Sequence, residues 1–426
     1  MNFIEELSWR GMVHQTTPGA AELLSKGGVC GYCGFDPSAS SLQVGNLAAI
    51  MMMAHFQRTG NKPFALVGGA TGIIGDPSGK SSERNLLSLE AVEYNLNRFK
   101  KQLTKFLDFS EGKYKAEIVN NYDWFSSMGF LDFLRNVGKH LTVGYMISKD
   151  SVKNRLDAGI SYTEFSYQLL QAYDFYYLHK TKGVCVQFGG SDQWGNITGG
   201  TELIRRIDGA ESHAITQPLV LRSDGQKFGK SADGQKLWLD AEMTSPYQFY
   251  QFWLNADDTT CERYLKVFTF LSREEINAVV EEHKNAPHLR AMQKTLAKEA
   301  VILVHSKDDY DAAVSASEIL FGNATEDNLR GLSTQTFLDV FSGVPQVKIN
   351  FNDFDGKSVV DIAVFAQDLF PSKSEIRRSI KSGALCVNKK RIDDENVRFS
   401  ENDLLNGRYL LVQKGKKNYF IVETLR

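Results

Sequence analysis

Apolar positions along this chain fall into two alternating rhythms. Val29 to Phe35 is an almost unbroken apolar run that predicts a buried strand, and Asp36 to Ser41 follows as a turn of Asp, Pro and Ser. From Gly45 to Arg58 the period becomes helical, with Leu47, Ile50, Met51 and Ala54 inward. The change then repeats. Pro63 to Gly69 reads as a strand, Leu89 to Phe109 as a helix, Ala116 to Val119 as a strand, and Asp123 to Val143 as an aromatic-rich helical segment. Tyr162 to Leu178 has helical length and is apolar nearly all round, as a buried helix requires. Val184 to Phe188 is a further strand, followed by a helix through Leu203, Ile204 and Ile207 and by a strand from Ile215 to Leu221. Strands alternating with helices predict an α/β domain with a parallel sheet. Its strand ends face helix starts, where free N–H groups and a positive dipole end suit phosphate.

The second part of the chain has a different rhythm. Ser245-Pro246 is a helix start, Ser272 and Glu275 form a capping box, and helices continue to Phe321, where Gly322 stops them. From Asn323 to Gly356 the pattern weakens into a linker. Ser358 to Leu369 then reads as a helix, Ser372 and Glu375 cap another that ends at Gly383, and Ala384 to Arg391 reads as strand plus turn. The expected parts are therefore 1–245 (α/β), 246–322 (all-helical), 323–356 (linker) and 357–426 (small α+β).

Composition narrows the function. With 426 residues, 42% hydrophobic and 23% charged, the chain can bury more than one core. Its net charge of -2 argues against nucleic acid binding over the whole surface, yet it hides a local asymmetry. Residues 357–426 hold 14 Lys and Arg against 9 Asp and Glu, which leaves 35 against 42 in the first 356. The basic end is the place to expect RNA. No apolar run approaches the roughly 20 residues of a membrane span, and the acidic start MNFIEELSWRG does not read as a signal peptide, so a cytoplasmic protein is expected. Five scattered cysteines do not form a disulfide framework. Cys30 and Cys33 match C-x-x-C, but in an extended strand they lie about 10 Å apart on opposite faces. No second pair completes a zinc site, and no metal site or tightly bound cofactor is expected.

Candidate chemistry gathers at the strand ends. Gly34, Ser38 and Gly45 are small enough to let a nucleotide lie against the first loop. The second strand opens into ATGIIGDPSGKSSER, which matches neither a Walker loop nor a dinucleotide fingerprint but offers Asp76, with Lys80 and Arg84 for phosphate charge. Tyr167, Gln171 and Asp174 share one face of their helix and aim polar groups at a common point. The segment SDGQKFGKSADG has almost nothing apolar, so it is expected to be a mobile loop, and its Lys227 and Lys230 can close over phosphates. At the basic end, Arg377, Arg378 and Lys381 face outward beside the turn Lys389-Lys390-Arg391, a surface that fits an RNA backbone.

Three of these elements stand together: DPSASSLQVGN after a strand, KFGKS in a loop, and a basic C-terminal module. The chain resembles the class I aminoacyl-tRNA synthetases, closest to their bacterial tyrosyl branch. The two signatures of that class, His-x-Gly-His and Lys-Met-Ser-Lys-Ser, correspond here to Gln43-Val44-Gly45-Asn46 and Lys227-Phe228-Gly229-Lys230-Ser231. The resemblance extends from LSWRG through GGATGIIGDPSGK, NNYDW, TEFSYQLLQAYDF and GGSDQWGN to the C-terminus. It implies a Rossmann-like catalytic domain, an anticodon-side helical domain, and an RNA-binding domain of the ribosomal small-subunit protein type. It also implies that ATP, with Mg²⁺, activates L-tyrosine for transfer to the tRNA 3′ end by a homodimer. The aromatic stretch Trp124, Phe125, Phe130, Phe133 and Tyr145 is too apolar for a free surface and fits a dimer face.

Residue by residue, the resemblance makes Tyr32 and Asp174 the grip on the substrate phenol. Asp76, Tyr167 and Gln171 become its ammonium cage, with Asn121 and Gln193 close by. Gly34, Asp36, Ser38, Gly45, Asn46 and Asp192 would line the ATP site, and Lys80, Arg84, Lys227 and Lys230 would meet the phosphates. Gln43 and Asn46 replace both signature histidines, and amides can still donate to phosphate without a titrating charge. Two alternatives compete: a tryptophanyl enzyme of the same fold, and a non-catalytic RNA-binding paralogue, for which Gln43 is the best support.

Overall fold

The computed structural model describes residues 2–78, 87–153, 155–156, 159–221, 236–321, 325–366, 370–415 and 418–426. They cluster into two compact units, residues 1–244 with 252–304 and residues 245–251 with 305–426.

The first unit is built on strands β1 (Gln15–Thr16), β2 (Cys30–Phe35), β3 (Lys62–Val67), β4 (Glu117–Asn120), β5 (Val184–Gly190) and β6 (His213–Gln217). They form one sheet in the order β1-β6-β5-β2-β3-β4, parallel except for the short edge strand β1. The connecting helices include α1 (Val44–Arg58), α2 (Leu89–Leu103), α3 (Tyr162–Lys182) and α4 (Trp194–Asp208). Burial on both faces explains why the central strands read as apolar runs instead of alternating. Gly31 marks the closest approach: a Cβ there would lie 2.7 Å from the Phe188 ring, which packs with Phe3 and Phe56 at centroid distances of 5.6 and 4.8 Å. On its other side β2 lays Tyr32 among Phe64, Phe175, Leu178 and Val184.

Helices α5 (Asp258–Phe268), α6 (Arg273–Asn285) and α7 (Ala291–Val304) belong to this same unit. The capping box of α6 is present, with Ser272 N donating to Glu275 Oε2 at 2.7 Å and Glu275 N to Ser272 Oγ at 3.2 Å. Buried Arg10 donates to the carbonyl oxygens of Lys266, Thr269 and Leu271, tying the end of α5 to the N-terminal helix Phe3–Trp9. The aromatic segment expected as one helix is broken into Tyr122–Phe125, Phe130–Asn136 and Val143–Ile147. Gly129 and Gly138 interrupt it, because glycine carries a high helix cost.

In the second unit, the stretch 323–356, described from residue 325 on, is more structured than a linker. They carry α9 (Glu326–Arg330), α10 (Thr334–Val340) and strand β7 (Gln346–Asn350), after α8 (Lys307–Phe321). Helices of five and seven residues complete too few turns to show a period in sequence. The basic end comprises α11 (Val359–Ala363), α12 (Lys373–Lys381), β8 (Leu385–Val387), β9 (Lys390–Arg391), β10 (Tyr409–Lys414) and β11 (Asn418–Leu425). Its sheet runs β7-β11-β10-β8-β9, and Phe354, Ile362, Ile376, Leu385, Leu410 and Val422 share one core. Among the described residues no helix is long and apolar enough to cross a membrane.

Candidate active site at the switch point of the sheet

From β2 the chain winds outward through β3 and β4, then returns to β5 on the opposite side of β2. The strand order therefore reverses between β2 and β5, and in open parallel sheets ligands bind beyond the carboxyl ends of strands at such a point. Gly34 is exposed in the otherwise buried end of β2, and an added Cβ there would meet nothing closer than Leu66 at 3.7 Å. The sheet is open where the cleft begins.

Below it lies a connected polar network. The Tyr167 hydroxyl donates to Asp36 Oδ2 at 2.7 Å, and Thr71 Oγ1 donates to Asp36 Oδ1 at 2.6 Å. Asn121 Nδ2 reaches both Thr71 Oγ1 at 2.9 Å and Asp174 Oδ2 at 3.1 Å, while Trp124 Nε1 donates to Asp174 Oδ1 at 2.9 Å. Asn121 is itself held by the N–H of Ala70, which donates to its Oδ1 at 2.7 Å. Gly68 makes room for the network, since a Cβ there would sit 2.1 Å from Asp36 Oδ1 and 2.2 Å from Thr71 Oγ1.

Tyr32 and Asp174 are each only 1% exposed. Burial pushes the Asp174 carboxyl well above the usual range, against the lowering effect of the donors Asn121 and Trp124. Burial, and then the neighbouring Asp174, likewise raises the Tyr32 phenol. The Tyr32 hydroxyl is buried without a hydrogen-bond partner among the described residues. A buried orphan hydroxyl beside a buried carboxylate is an arrangement that a polar ligand group would complete.

A second cluster surrounds Asp76. Gln193 Nε2 donates to Asp76 Oδ2 at 2.7 Å and Ser78 N to Asp76 Oδ1 at 2.9 Å; Asn196 Nδ2 reaches Ser78 Oγ at 3.1 Å. Asp192 precedes Gln193 in the turn that closes β5, and Gln171 is half-buried one helical turn before Asp174. At the start of α1, Gly45 is exposed and Gln43 and Asn46 are half-buried; Gln43 N donates to Asn46 Oδ1 at 2.9 Å, leaving the Asn46 amide N–H groups as donors. Ser38 is exposed in the turn after β2. Lys80, Arg84, Lys227 and Lys230 lie outside the described residues.

The basic surface is less naked than its sequence. Arg377 pairs with Glu395 at 2.6 Å, Arg378 with Glu375 at 3.2 Å and Arg391 with Asp393 at 2.8 Å, while Lys389 Nζ donates to the Tyr419 hydroxyl at 2.7 Å. Lys381 and Lys390 are exposed with no ion-pair partner among the described residues.

Sequence reasoning missed two members of the inner network. Thr71 lies in the glycine-rich segment, where only charged groups drew notice. Trp124 was assigned to an apolar dimer face, but it is buried, stacks on Tyr177 with centroids 4.5 Å apart and turns its indole N–H to Asp174. Its place directly after Asn121-Tyr122-Asp123 was the available signal. The thiols take no part: burial pushes Cys33 and Cys261 up to about 12 and Cys185 to about 11, far from a reactive thiolate.

A family model for class I tRNA synthetases (W and Y) matches residues 26–322, the class that this sheet and its switch-point site define. A second model, for the tyrosine--tRNA ligase SYY-like C-terminal domain, matches residues 336–422. The tyrosine--tRNA ligase of Bacteroides thetaiotaomicron is 55% identical over 428 residues, covering 99% of each chain, and that of Cytophaga hutchinsonii is 54% identical over 424 residues with the same coverage. Among solved structures, a C-terminally truncated mitochondrial tyrosyl-tRNA synthetase of Aspergillus nidulans is similar at TM-score 0.68 and 32% identity, over 75% of this chain and 94% of that one. The chain belongs to the tyrosine–tRNA ligase family within that class.

The raised Asp174 carboxyl has a measurable sign. Its folded pKa lies above the unfolded value, so the ionised group costs stability at neutral pH, and that cost disappears as pH falls through the folded pKa toward the ordinary range near ~3.9. Wild-type protein should therefore gain stability relative to Asp174→Asn between pH 8 and pH 5, read from urea midpoints. Parallel pH curves for the two proteins would show that burial does not hold this carboxyl high.

Proposed function

We propose that the site activates L-tyrosine with ATP and passes it to the 3′-terminal ribose of tRNA(Tyr). A tyrosine carboxylate oxygen attacks the α-phosphorus, the bond to the β-phosphate oxygen breaks, and pyrophosphate leaves tyrosyl-adenylate behind. A ribose hydroxyl of the tRNA then attacks the carbonyl carbon and AMP departs. No covalent enzyme intermediate is required, so catalysis is positioning and charge stabilisation on the leaving group. Mg²⁺ enters this reading with ATP as part of the substrate.

The observation that carries the reading is the orphan Tyr32 hydroxyl beside the buried Asp174 carboxylate. A carboxylate has about four lone-pair sites, so Asp174 can accept from a substrate phenol while keeping Asn121 and Trp124. Phenylalanine would leave these buried groups unpaired, a discrimination already established for tyrosyl enzymes and not a magnitude derived from these distances. An indole has less use for the pair, which favours tyrosine over tryptophan. In the same reading Asp76, Tyr167, Gln171 and Gln193 receive the ammonium. Gly34, Asp36, Ser38, Gly45, Asn46 and Asp192 line the ATP site with Gln43, while Lys80, Arg84, Lys227 and Lys230 meet its phosphates.

The wider assignments follow the same logic. We read residues 1–245 as catalytic, 246–322 as the anticodon-side part and 357–426 as RNA-binding, in a protein that works in the cytoplasm. A second copy is the expected partner of the apolar surface on two short helices, where Phe130 is 66% and Leu131 77% exposed and Val143 is also open.

Tyrosine-dependent ATP–pyrophosphate exchange tests the central reading. Tyr32→Phe should cost about 1 kcal/mol or less in kcat/KM, the worth of one neutral hydrogen bond, whereas Asp174→Asn should abolish most activity. Full exchange activity in Asp174→Asn would remove the phenol assignment.

For tRNA, the unpaired lysines should matter more per residue than the paired arginines. Replacing Lys381 and Lys390 by alanine should weaken binding and flatten the plot of log affinity against log salt by about 1 per lysine. An unchanged slope would place the RNA elsewhere.

Light scattering should give twice the chain mass for the wild type, and Leu131→Asp should halve it. A monomeric wild type at micromolar concentration would refute the dimer.

A further inference from the structure

The turn leading into α1 is fastened by residues outside the hydrogen-bond network of Tyr167 and Asp174. Gln102, near the end of α2, accepts from Leu42 N through its Oε1 at 2.9 Å and donates through its Nε2 to Ser41 Oγ at 3.0 Å and Asp240 Oδ2 at 3.4 Å. Ser41 Oγ in turn donates to Leu42 O at 2.8 Å and accepts from Asp240 N at 3.2 Å. Leu239 N donates to Leu42 O at 2.9 Å and Val44 N to Leu237 O at 3.1 Å, so residues 237–240 are spliced onto the backbone that precedes the helix. From one turn earlier on α2, Arg98 pairs with Asp240 at 2.5 Å and Glu242 at 2.9 Å. Ser41 and Gln102 are both buried.

The splice does more than satisfy buried groups. It grips residues 41, 42 and 44, which flank Gln43 and lead directly into Gly45 and Asn46 at the start of α1. Its bonds at Ser41, Leu42 and Gln102 are buried and converge from two separate stretches of chain, which fixes the backbone before α1. We propose that Gln102, with Ser41 and Asp240, is a positioning residue for adenylate formation, setting the depth at which Gln43, Gly45 and Asn46 meet ATP. The proposal rests on the reading that those three residues line the ATP site. Misplacement of a catalytic element by about 1 Å can cost on the order of 100-fold in rate, whereas loss of a merely structural hydrogen bond would weaken all substrates alike. Among the described residues, no hydrogen bond recorded for Tyr32, Asp36, Tyr167 or Asp174 runs to Gln102.

The test uses the full chain, tyrosine-dependent ATP–pyrophosphate exchange, and calorimetric tyrosine binding without ATP. Gln102→Ala and Asp240→Ala should each lower kcat by about 10- to 100-fold while tyrosine affinity stays within about twofold. Asp240→Asn keeps an acceptor for Gln102 and Arg98 and should recover most of the rate. Gln43→Ala and Asn46→Ala run in parallel. If those two lower kcat but Gln102→Ala does not, the splice is overturned and the ATP reading stands. If neither pair lowers it, both fall. Tyrosine affinity that drops in step with kcat in Gln102→Ala, or no recovery in Asp240→Asn, also overturns the proposal, because the role would then be general to the fold.

Discussion

Keeping a carboxylate in the interior is the constraint around which the first unit is arranged. An isolated buried carboxylate is too costly to remain ionised, so donors must be delivered to it from elsewhere in the fold. Asp174 receives them from Asn121 and Trp124, just beyond β4, while Asp174 itself comes from the middle of α3. Asn121 is also tied to Thr71 and through it to Asp36 at the end of β2. Four separate stretches of chain must be in register before this one group is satisfied. The same register brings the Tyr32 hydroxyl beside it, still without a hydrogen-bond partner among the described residues. Stability is sacrificed at a point that a polar ligand group would restore.

The two units carry their polar groups in different ways. Around Asp174 the groups are buried and hydrogen-bonded, so their geometry is held in advance and a ligand there would lose little to reorganisation. On the basic face of the second unit the arginines are exposed and paired with Glu375, Asp393 and Glu395. Exposed pairs of this kind contribute about 0–1 kcal/mol each, so a phosphate can replace a carboxylate at small cost. The pairs neutralise three arginines, while Lys381 and Lys390 stay exposed with no ion-pair partner among the described residues. A buried polar network suits a small ligand that must be distinguished atom by atom; an exposed, partly paired surface suits a large one.

Much of this was legible in the order of residues, because it depends on local rules. The alternation of apolar runs and helical periods specifies a parallel α/β sheet, the cap residues mark helix starts, and the spacing of Tyr167, Gln171 and Asp174 puts them on one helix face whatever surrounds it. Signature motifs carry the family, since GGSDQWGN and KFGKS are contiguous. Tertiary structure alone decided the rest. That Trp124 serves Asp174 and does not lie on an apolar surface depends on contacts 50 residues apart in sequence. That Arg377 is neutralised by Glu395, 18 residues further on, and that Gln102 binds the turn at Ser41 across 61 residues, depends on where loops return. Period and composition report how a segment meets water. They carry no record of which distant donor a buried acceptor will find, because that pairing exists only once the strands are in register.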